Sequence, residues 1–520
     1  MKQAELTVIL SVAWVVTLLY GEMVAFWVPS MWSCPWPHAS KSMSEGDPNE
    51  YVKVAVIADP QIMDRTTLRL QPNSLALELA QFYTDLYMRR AYLGSIRPVK
   101  PDAVIFLGDY FDGGPDLSDE EWQLSLSRFK HIFDLRSHRR HADFSVHFIP
   151  GNHDIGYASL HHYKPEVIVR YESEFGFSNS QFTIGKVEFI AVDAQSLDGK
   201  LKQNWTSLCW DFIKSLSTDA QLNPRVLLTH IPLYRQDETD CGPSRYSPII
   251  NQRIHRSRGE QEITYQNYVT EESSKRLLNS VKPVLVLSGH DHDQCTVVHE
   301  FENGSLNEIT VGSVSWQQGN LYPSFMLLSV SNTTSTTKEP ILTQLCFLPV
   351  QLHIYIWYIG LFVITVLASF FWPTSSESLW VSCGENVSHF GQILRSALQA
   401  TKEKNDDDYE YEEIWDSEGI MHLIKKKSPS HSSQSGDQAV LERGSASVRP
   451  AARRHNQEVE SSSNVEISVD GTGNKPLKSS KSRLRMVVQR LVRATRMIII
   501  VASVNVPLYM MLLFKDWNDQ

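Results

Sequence analysis

Three long apolar stretches set the first limit on what this 520-residue chain can become. Leu6–Val28 is hydrophobic apart from scattered polar residues such as Ser11, Thr17, Gly21 and Glu22. Ile354–Trp372 and Met497–Phe514 carry no charge at all. The hydrocarbon core of a bilayer calls for about 17–25 apolar residues per spanning helix. The spacing therefore predicts a first helix over residues 1–28, kept as a signal anchor because no small-x-small cleavage site follows Tyr20. A second is expected over 353–373, ending at Pro373, and a third over 497–514, interrupted by Asn505 and Pro507.

Basic residues give the expected orientation. Lys475, Lys478, Lys481, Arg483, Arg485, Arg490, Arg493 and Arg496 crowd before the third stretch, so that flank is expected in the cytosol. Residues 51–348 then lie in the lumen of the secretory pathway. The sequons Asn204-Trp-Thr, Asn303-Gly-Ser and Asn332-Thr-Thr fall in that part, and Asn386-Val-Ser on the other side. Cys34, Cys209, Cys241, Cys295 and Cys346 would share the oxidising side, Cys383 the reducing one. Five is odd, so at least one thiol is left over within a chain.

The segment 374–496 contains Asp406-Asp407-Asp408, Lys425-Lys426-Lys427 and many serines, with little apolar periodicity. It reads as a disordered cytosolic linker, and its partners cannot be named from composition. Its basic end, Lys481–Arg496, fits either a helix lying on anionic lipid or an extension of the last span. Acidic residues outnumber basic ones, 59 to 49, which excludes a global positive field and with it a nucleic-acid partner.

Between residues 51 and 348 the pattern is globular. Apolar, β-branched runs at Val52–Ala58, Ala103–Leu107 and Phe144–Ile149 predict strands, separated by helical spacing at Asn73–Tyr92 and Asp119–Phe133. Further strands are expected at Val187–Val192, Arg225–Thr229, Pro283–Leu287 and Glu308–Val311, with an irregular insertion from Leu233 to Tyr265. Strands alternating with helices argue for an α/β fold with sheets flanked by helices.

Metal-binding side chains follow five of these strands: Asp59-Pro60-Gln61, Gly108-Asp109-Tyr110, Gly151-Asn152-His153-Asp154, Thr229-His230-Ile231-Pro232 and Gly289-His290-Asp291-His292. Loops at the carboxyl ends of strands can aim such groups into one crevice. Carboxylate, amide oxygen and imidazole together suit Mn2+, Fe or Zn2+. No P-loop or nucleophile elbow is present, which excludes ATP-driven and covalent serine chemistry from the leading readings. His161 and His162 belong to no such motif.

In their order and context these motifs resemble the calcineurin-like metallophosphoesterase superfamily over about Val52–Leu348. The stretches Gly151–Gly156, His230–Arg235 and Leu287–His290 look like one branch of it. Those are the membrane phosphodiesterases that remodel glycosylphosphatidylinositol (GPI) anchors by removing ethanolamine phosphate from a mannose. The resemblance implies a metallophosphoesterase-type α/β sandwich, an endoplasmic reticulum or Golgi membrane location, and GPI glycans or GPI-anchored proteins as substrate. It implies two divalent metals. Asp59, Asp109 and His292 would hold the first; Asn152, His230 and His290 the second, with Asp109 bridging. Gln61 stands where many members have His, either as a ligand or as a hydrogen-bond partner of a metal-bound water; as a ligand it would tilt that site toward Mn2+. His153 would protonate the leaving alkoxide or stabilise phosphoryl charge, with Asp154 orienting its ring. Hydrolysis of another lumenal phosphoester, such as a nucleotide, phospholipid or phosphoprotein, is the alternative, and the lining at Leu233–Tyr265, which includes Arg235, Arg245 and Arg253, would decide between them.

Overall fold

The computed structural model describes residues 3–41, 50–68, 70–71, 74–135, 144–200, 204–218, 221–258, 262–301, 304–333, 339–372, 409–415, 421–427 and 480–517. Two sheets form the centre. The first runs in the order β13 (Ile341–Phe347), β12 (Ser324–Ser331), β1 (Tyr51–Ile57), β2 (Ala103–Phe106), β3 (Ser145–Phe148). The second runs β10 (Cys295–Phe301), β11 (Gly304–Thr310), β9 (Leu285–Ser288), β6 (Arg225–Leu228), β5 (Val187–Ala191), β4 (Ser180–Ile184). Strands β1, β2 and β3 are parallel, as are β5, β6, β9 and β11. Their carboxyl ends therefore share an edge within each sheet.

Alternation along β1 explains why the sheets stack. Val54, Val56 and Ala58 meet Phe189, Val226 and Leu287 of the second sheet in one fully buried core. Ala55 and Ile57 point the other way, into a core with Tyr87, Met88 and Phe129 from the helices Leu75–Ala91 and Asp119–Ile132. On the far side, Ile190, Leu227 and Val286 pack on the helices Asn204–Thr218 and Glu271–Val281. A period of two thus buries both faces of each strand and yields helix, sheet, sheet, helix. The helix starts follow local chemistry. Ser74 accepts from the Leu77 amide at 3.3 Å, and Ser118 with Glu121 forms a reciprocal capping box. Asn73, the first residue of the expected helical spacing, lies outside the described residues.

Among the described residues, three helices are long and apolar enough to cross a membrane: Gln3–Ser33, Gln351–Phe371 and Leu484–Lys515. The protein is accordingly membrane-associated. Leu6 and Leu10 of the first pack on Met497 and Val501 of the third, and Trp14 donates to Thr365 of the second at 2.9 Å. The third belongs to one unbroken helix, Ser480–Lys515, that continues through Pro507 and includes the basic stretch from Lys481 to Arg496.

Glu22 breaks the apolar pattern for a reason the sequence did not disclose. It is buried, accepts from the Tyr358 hydroxyl at 2.6 Å, and is paired with Arg90. Arg90 also donates to the Leu512 carbonyl at 2.8 Å and pairs with Asp516 at 3.3 Å. One arginine of the catalytic domain thus gathers the ends of the first and third helices, and a charge so placed stays only when paired. A disulfide between Cys34 and Cys346 ties the end of the first helix to β13, and a second joins Cys241 to Cys295. Cys209 is buried and unpaired, the odd thiol the count requires. Cys383 lies outside the described residues.

The insertion from Leu233 to Tyr265 is less irregular than expected, because Ile254–Arg256 (β7) pairs with Ile263–Gln266 (β8). Within 374–496 the described residues include Tyr409–Trp415 and Met421–Lys427, paired as an antiparallel hairpin. The Asp406–Asp408 run and Asn386 lie outside the described residues.

Candidate metal centre

The site residues sit just past the carboxyl ends of strands, and five of them adopt a backbone that most residues avoid. Asp59, Gln61, Asp109, His290 and His292 all have positive φ, between 39° and 69°. Each such residue costs about 1–3 kcal/mol and persists only when its surroundings enforce it. Here the enforcement is visible. The Asp59 carboxylate accepts from the His290 amide at 3.0 and 3.1 Å, and the Asp109 carboxylate accepts from the His153 amide at 2.8 Å. Gly151 permits the approach, since a Cβ there would fall 2.0 Å from Asp109 Oδ1.

These loops bring two overlapping groups of donors together. Asp59, Asp109 and His292 form one; Asp109, His230 and His290 form the other, with the donor atoms of each group within 4.8 Å of one another. Asp109 belongs to both. Asn152 Oδ1 lies 3.1 Å from His230 Nε2, which brings Asn152 into the second group. Gln61 reaches the first group through its amide nitrogen, a donor to Asp109 Oδ2 at 3.0 Å.

Backbone carbonyls set the histidine rings. His230 Nδ1 faces the Leu107 carbonyl at 2.7 Å, which turns Nε2 toward Asp109 at 3.2 Å. His290 Nε2 is held by the Gln266 carbonyl at 3.2 Å and His292 Nδ1 by that of Gln318 at 3.1 Å. One nitrogen of each ring is occupied and the other faces the centre, the arrangement that fixes a ligating tautomer. The set fits two divalent cations: two buried carboxylates, three imidazoles and an amide oxygen converge with no cationic side chain among them.

The structure differs from expectation at Asp154. Its carboxylate does not touch the His153 ring. It accepts instead from the amides of Asp109 at 2.7 Å, Tyr110 at 2.8 Å and Gly151 at 2.9 Å, clamping the two loops that carry Asp109 and Asn152. The carbonyl of Asp112 holds His153 Nδ1, a partner the sequence could not indicate because every residue has a carbonyl. Arg235 and Arg245 also differ from expectation. Both are occupied by Asp291, Arg245 bidentately at 2.8 and 2.9 Å, so they fix the turn between His290 and His292 rather than offering free charge to a substrate. Arg253 is exposed and bonds to His255. Glu308, unremarked in the sequence, accepts from Leu233 N at 3.0 Å and Ser288 Oγ at 2.8 Å, linking the strand ends that present His230 and His290. His161 is buried against the Gly156 carbonyl and stays outside the centre.

The pattern of the calcineurin-like phosphoesterases matches residues 52–294. Cell division control protein 1 of Saccharomyces cerevisiae is 30% identical over 369 residues, covering 66% of this chain and 70% of that one. The chain belongs to the calcineurin-like phosphoesterases. Among these phosphoesterases it is also 28% identical to Metallophosphoesterase 1 of Pongo abelii over 68% of this chain and 87% of that one. Metallophosphoesterase 1 of Mus musculus is 28% identical over 66% and 83% of the two chains. A purple acid phosphatase from yellow lupin seeds overlaps 57% of this chain and 51% of its own at 12% identity, with a TM-score of 0.35. The protein is thus a phosphoric ester hydrolase of the metal-dependent kind.

Protonation of this phosphoesterase centre predicts how metals bind. Burial pushes the Asp59 carboxyl up to about 8, the neighbouring Asp109 adding to it. Burial would lower His230, but the Asp109 carboxylate outweighs it and brings the ring up to about 9. Both groups hold a proton at pH 7 in the metal-free protein, and both must release it before their donor atoms are free. Binding of Mn2+ is therefore expected to expel between one and two protons at pH 7, and its affinity to fall as pH drops below about 9, first through His230 and then through Asp59. Titration calorimetry in buffers of different ionisation enthalpy measures the protons directly. A heat independent of buffer would contradict the assignment of these donors.

Proposed function

We propose that this phosphoesterase removes ethanolamine phosphate from a mannose of GPI-anchor glycans, acting in the lumen of the endoplasmic reticulum or Golgi. The two donor groups sharing Asp109, with His153 beside them, are the observation that carries a phosphodiesterase reading. The substrate rests on the sequence resemblance to that branch of the family, and Mn2+ is the favoured metal. Bound in the two groups, divalent cations supply Lewis acidity at the phosphoryl oxygens and an acidified water for in-line attack.

The protein's own part is positioning and proton transfer. Burial lowers the His153 pKa, but the Asp109 carboxylate and the Asp112 carbonyl raise it overall, which favours the charged ring. With Nδ1 held by Asp112, Nε2 is the atom left to hand a proton to the departing mannose oxygen. The helix geometry supports the lumenal placement. Arg496 precedes Asp516 by about 30 Å at 1.5 Å per residue, about a membrane thickness, while Asp516 contacts the catalytic domain. The basic flank and the catalytic domain then lie on opposite sides.

Two experiments test the reading. The purified full-length protein with Mn2+ is expected to release ethanolamine phosphate from a GPI glycan. Cleavage of simple phosphodiesters without that release would retain the enzyme and discard the substrate. Expressed in a secretory cell, the chain is expected to be glycosylated at Asn204, Asn303 and Asn332 but not at Asn386, read as mobility shifts removed by Asn→Gln changes. Absence of glycan at all three sites would reverse the proposed orientation.

A further inference from the structure

Away from the metal centre, two cavities meet at one pair of tyrosines. The first, about 350 Å3, lies among the three apolar helices, walled by Trp14 and Leu18, by Phe362, and by Val501, Ala502 and Val506. The second, about 510 Å3, lies between those helices and the catalytic domain, walled by Met63, Leu79, Tyr83, Trp316 and Gln317. Tyr358 and Tyr509 line both.

One wall of the second cavity adjoins the loop that carries Gln61. Gln317 Nε2 donates to the Gln61 carbonyl at 2.8 Å, and Met63 lies two residues beyond Gln61. The next residue, Gln318, supplies the carbonyl that orients His292. Both cavities are lined almost wholly by hydrocarbon. At the inner end Trp316 Nε1 and Gln317 Oε1 are shielded from solvent without a hydrogen-bond partner among the described residues, as is Asn505 Oδ1 in the outer cavity. A shielded donor and acceptor with nothing to bond are costly unless a ligand completes them.

We propose that these two adjoining cavities together form a lipid-binding groove. The hydrocarbon of a lipid-borne phosphodiester lies among the three helices, and its hydroxylated headgroup passes Tyr358 and Tyr509 toward the metals. The inference rests on the phosphodiesterase reading above and adds that the enzyme grips the lipid as well as the glycan. Moving hydrocarbon from bilayer to groove exchanges one apolar surrounding for another, so tight binding is not what the groove supplies. Its contribution is to align the headgroup with the metal centre.

Ala502→Trp and Val506→Trp in the full-length protein narrow the outer cavity far from the metals. On a GPI glycolipid with both chains intact, kcat/KM is expected to fall roughly tenfold or more. On the same glycan after its diacylglycerol is removed, and on bis(p-nitrophenyl) phosphate, the rate is expected to stay unchanged, which also shows that the variants fold. Equal effects on lipid-bearing and lipid-free substrates, or none on either, would overturn the groove.

Should the glycan not be cleaved at all, the substrate reading fails and a second measurement decides the groove alone. Phosphatidylinositol with a diazirine in its acyl chain is expected to label the peptides around Trp14–Leu18 and Val501–Val506, and Ala502→Trp is expected to abolish that labelling. Labelling confined to the outward-facing Ile359 and Ile499 would refute the proposal.

Discussion

Replacing Asp109 by alanine is expected to remove both metals at once and to reduce phosphodiester hydrolysis by more than about a thousandfold, beyond the loss usual for one electrostatic group. Asp109 is the only carboxylate common to the two donor groups, so its loss leaves each with too few anionic donors. Asp59→Ala is expected to spare the second group, retaining close to one metal per chain. The Asp109 carboxylate also accepts from the His153 amide, which raises the concern that alanine merely disorders the loop. Asp109→Asn addresses it, because the amide oxygen keeps that hydrogen bond while the charge is lost. Metal content by mass spectrometry and melting temperature, measured together, separate the two causes. Native stability with metal content and activity lost in Asp109→Asn is the expected result. Two metals retained in either variant would mean that Asp109 does not bridge.

How much of this was legible in the sequence depends on which atoms do the work. Asp59, Asp109, Asn152, His230, His290 and His292 were readable because each follows a recognisable apolar strand and carries a distinctive side chain. The strands themselves were readable where both faces are buried, as at Val52–Ala58 against the observed Tyr51–Ile57. Strands β12 and β13 went unremarked, although β12 is buried throughout and pairs directly with β1. A short apolar run shortly before the second apolar helix offers no periodicity to tell it from its surroundings. What holds the site together was the least legible. The partners of His153, His230, His290 and His292 are backbone carbonyls of Asp112, Leu107, Gln266 and Gln318, and a carbonyl leaves no mark on residue identity. Arg235 and Arg245 were visible as charges, but only the fold shows that Asp291 consumes them.

The distinction between His153 and Asp154 has a sharp kinetic consequence. His153→Ala is expected to slow alkyl phosphodiester cleavage about 10²–10⁴-fold, the usual range for a general acid, and p-nitrophenyl diester cleavage much less, since nitrophenolate leaves without a proton. Were Asp154 the residue that orients this ring, Asp154→Ala would share that selectivity. Its observed contacts predict otherwise. Removing the carboxylate strips four buried amides, those of Asp109, Tyr110, Phe111 and Gly151, of an acceptor. Each buried donor left unsatisfied costs about 1–3 kcal/mol, so a loss of at least about 3 kcal/mol in stability is expected, read as a lower denaturation midpoint. Because Asp109 and Asn152 then lose their common clamp, Asp154→Ala is expected to slow alkyl and nitrophenyl substrates by the same factor. A selective loss on alkyl substrates with unchanged stability would restore Asp154 to the proton path; an even loss with lowered stability makes it the residue that sets the distance between the two metal-binding loops.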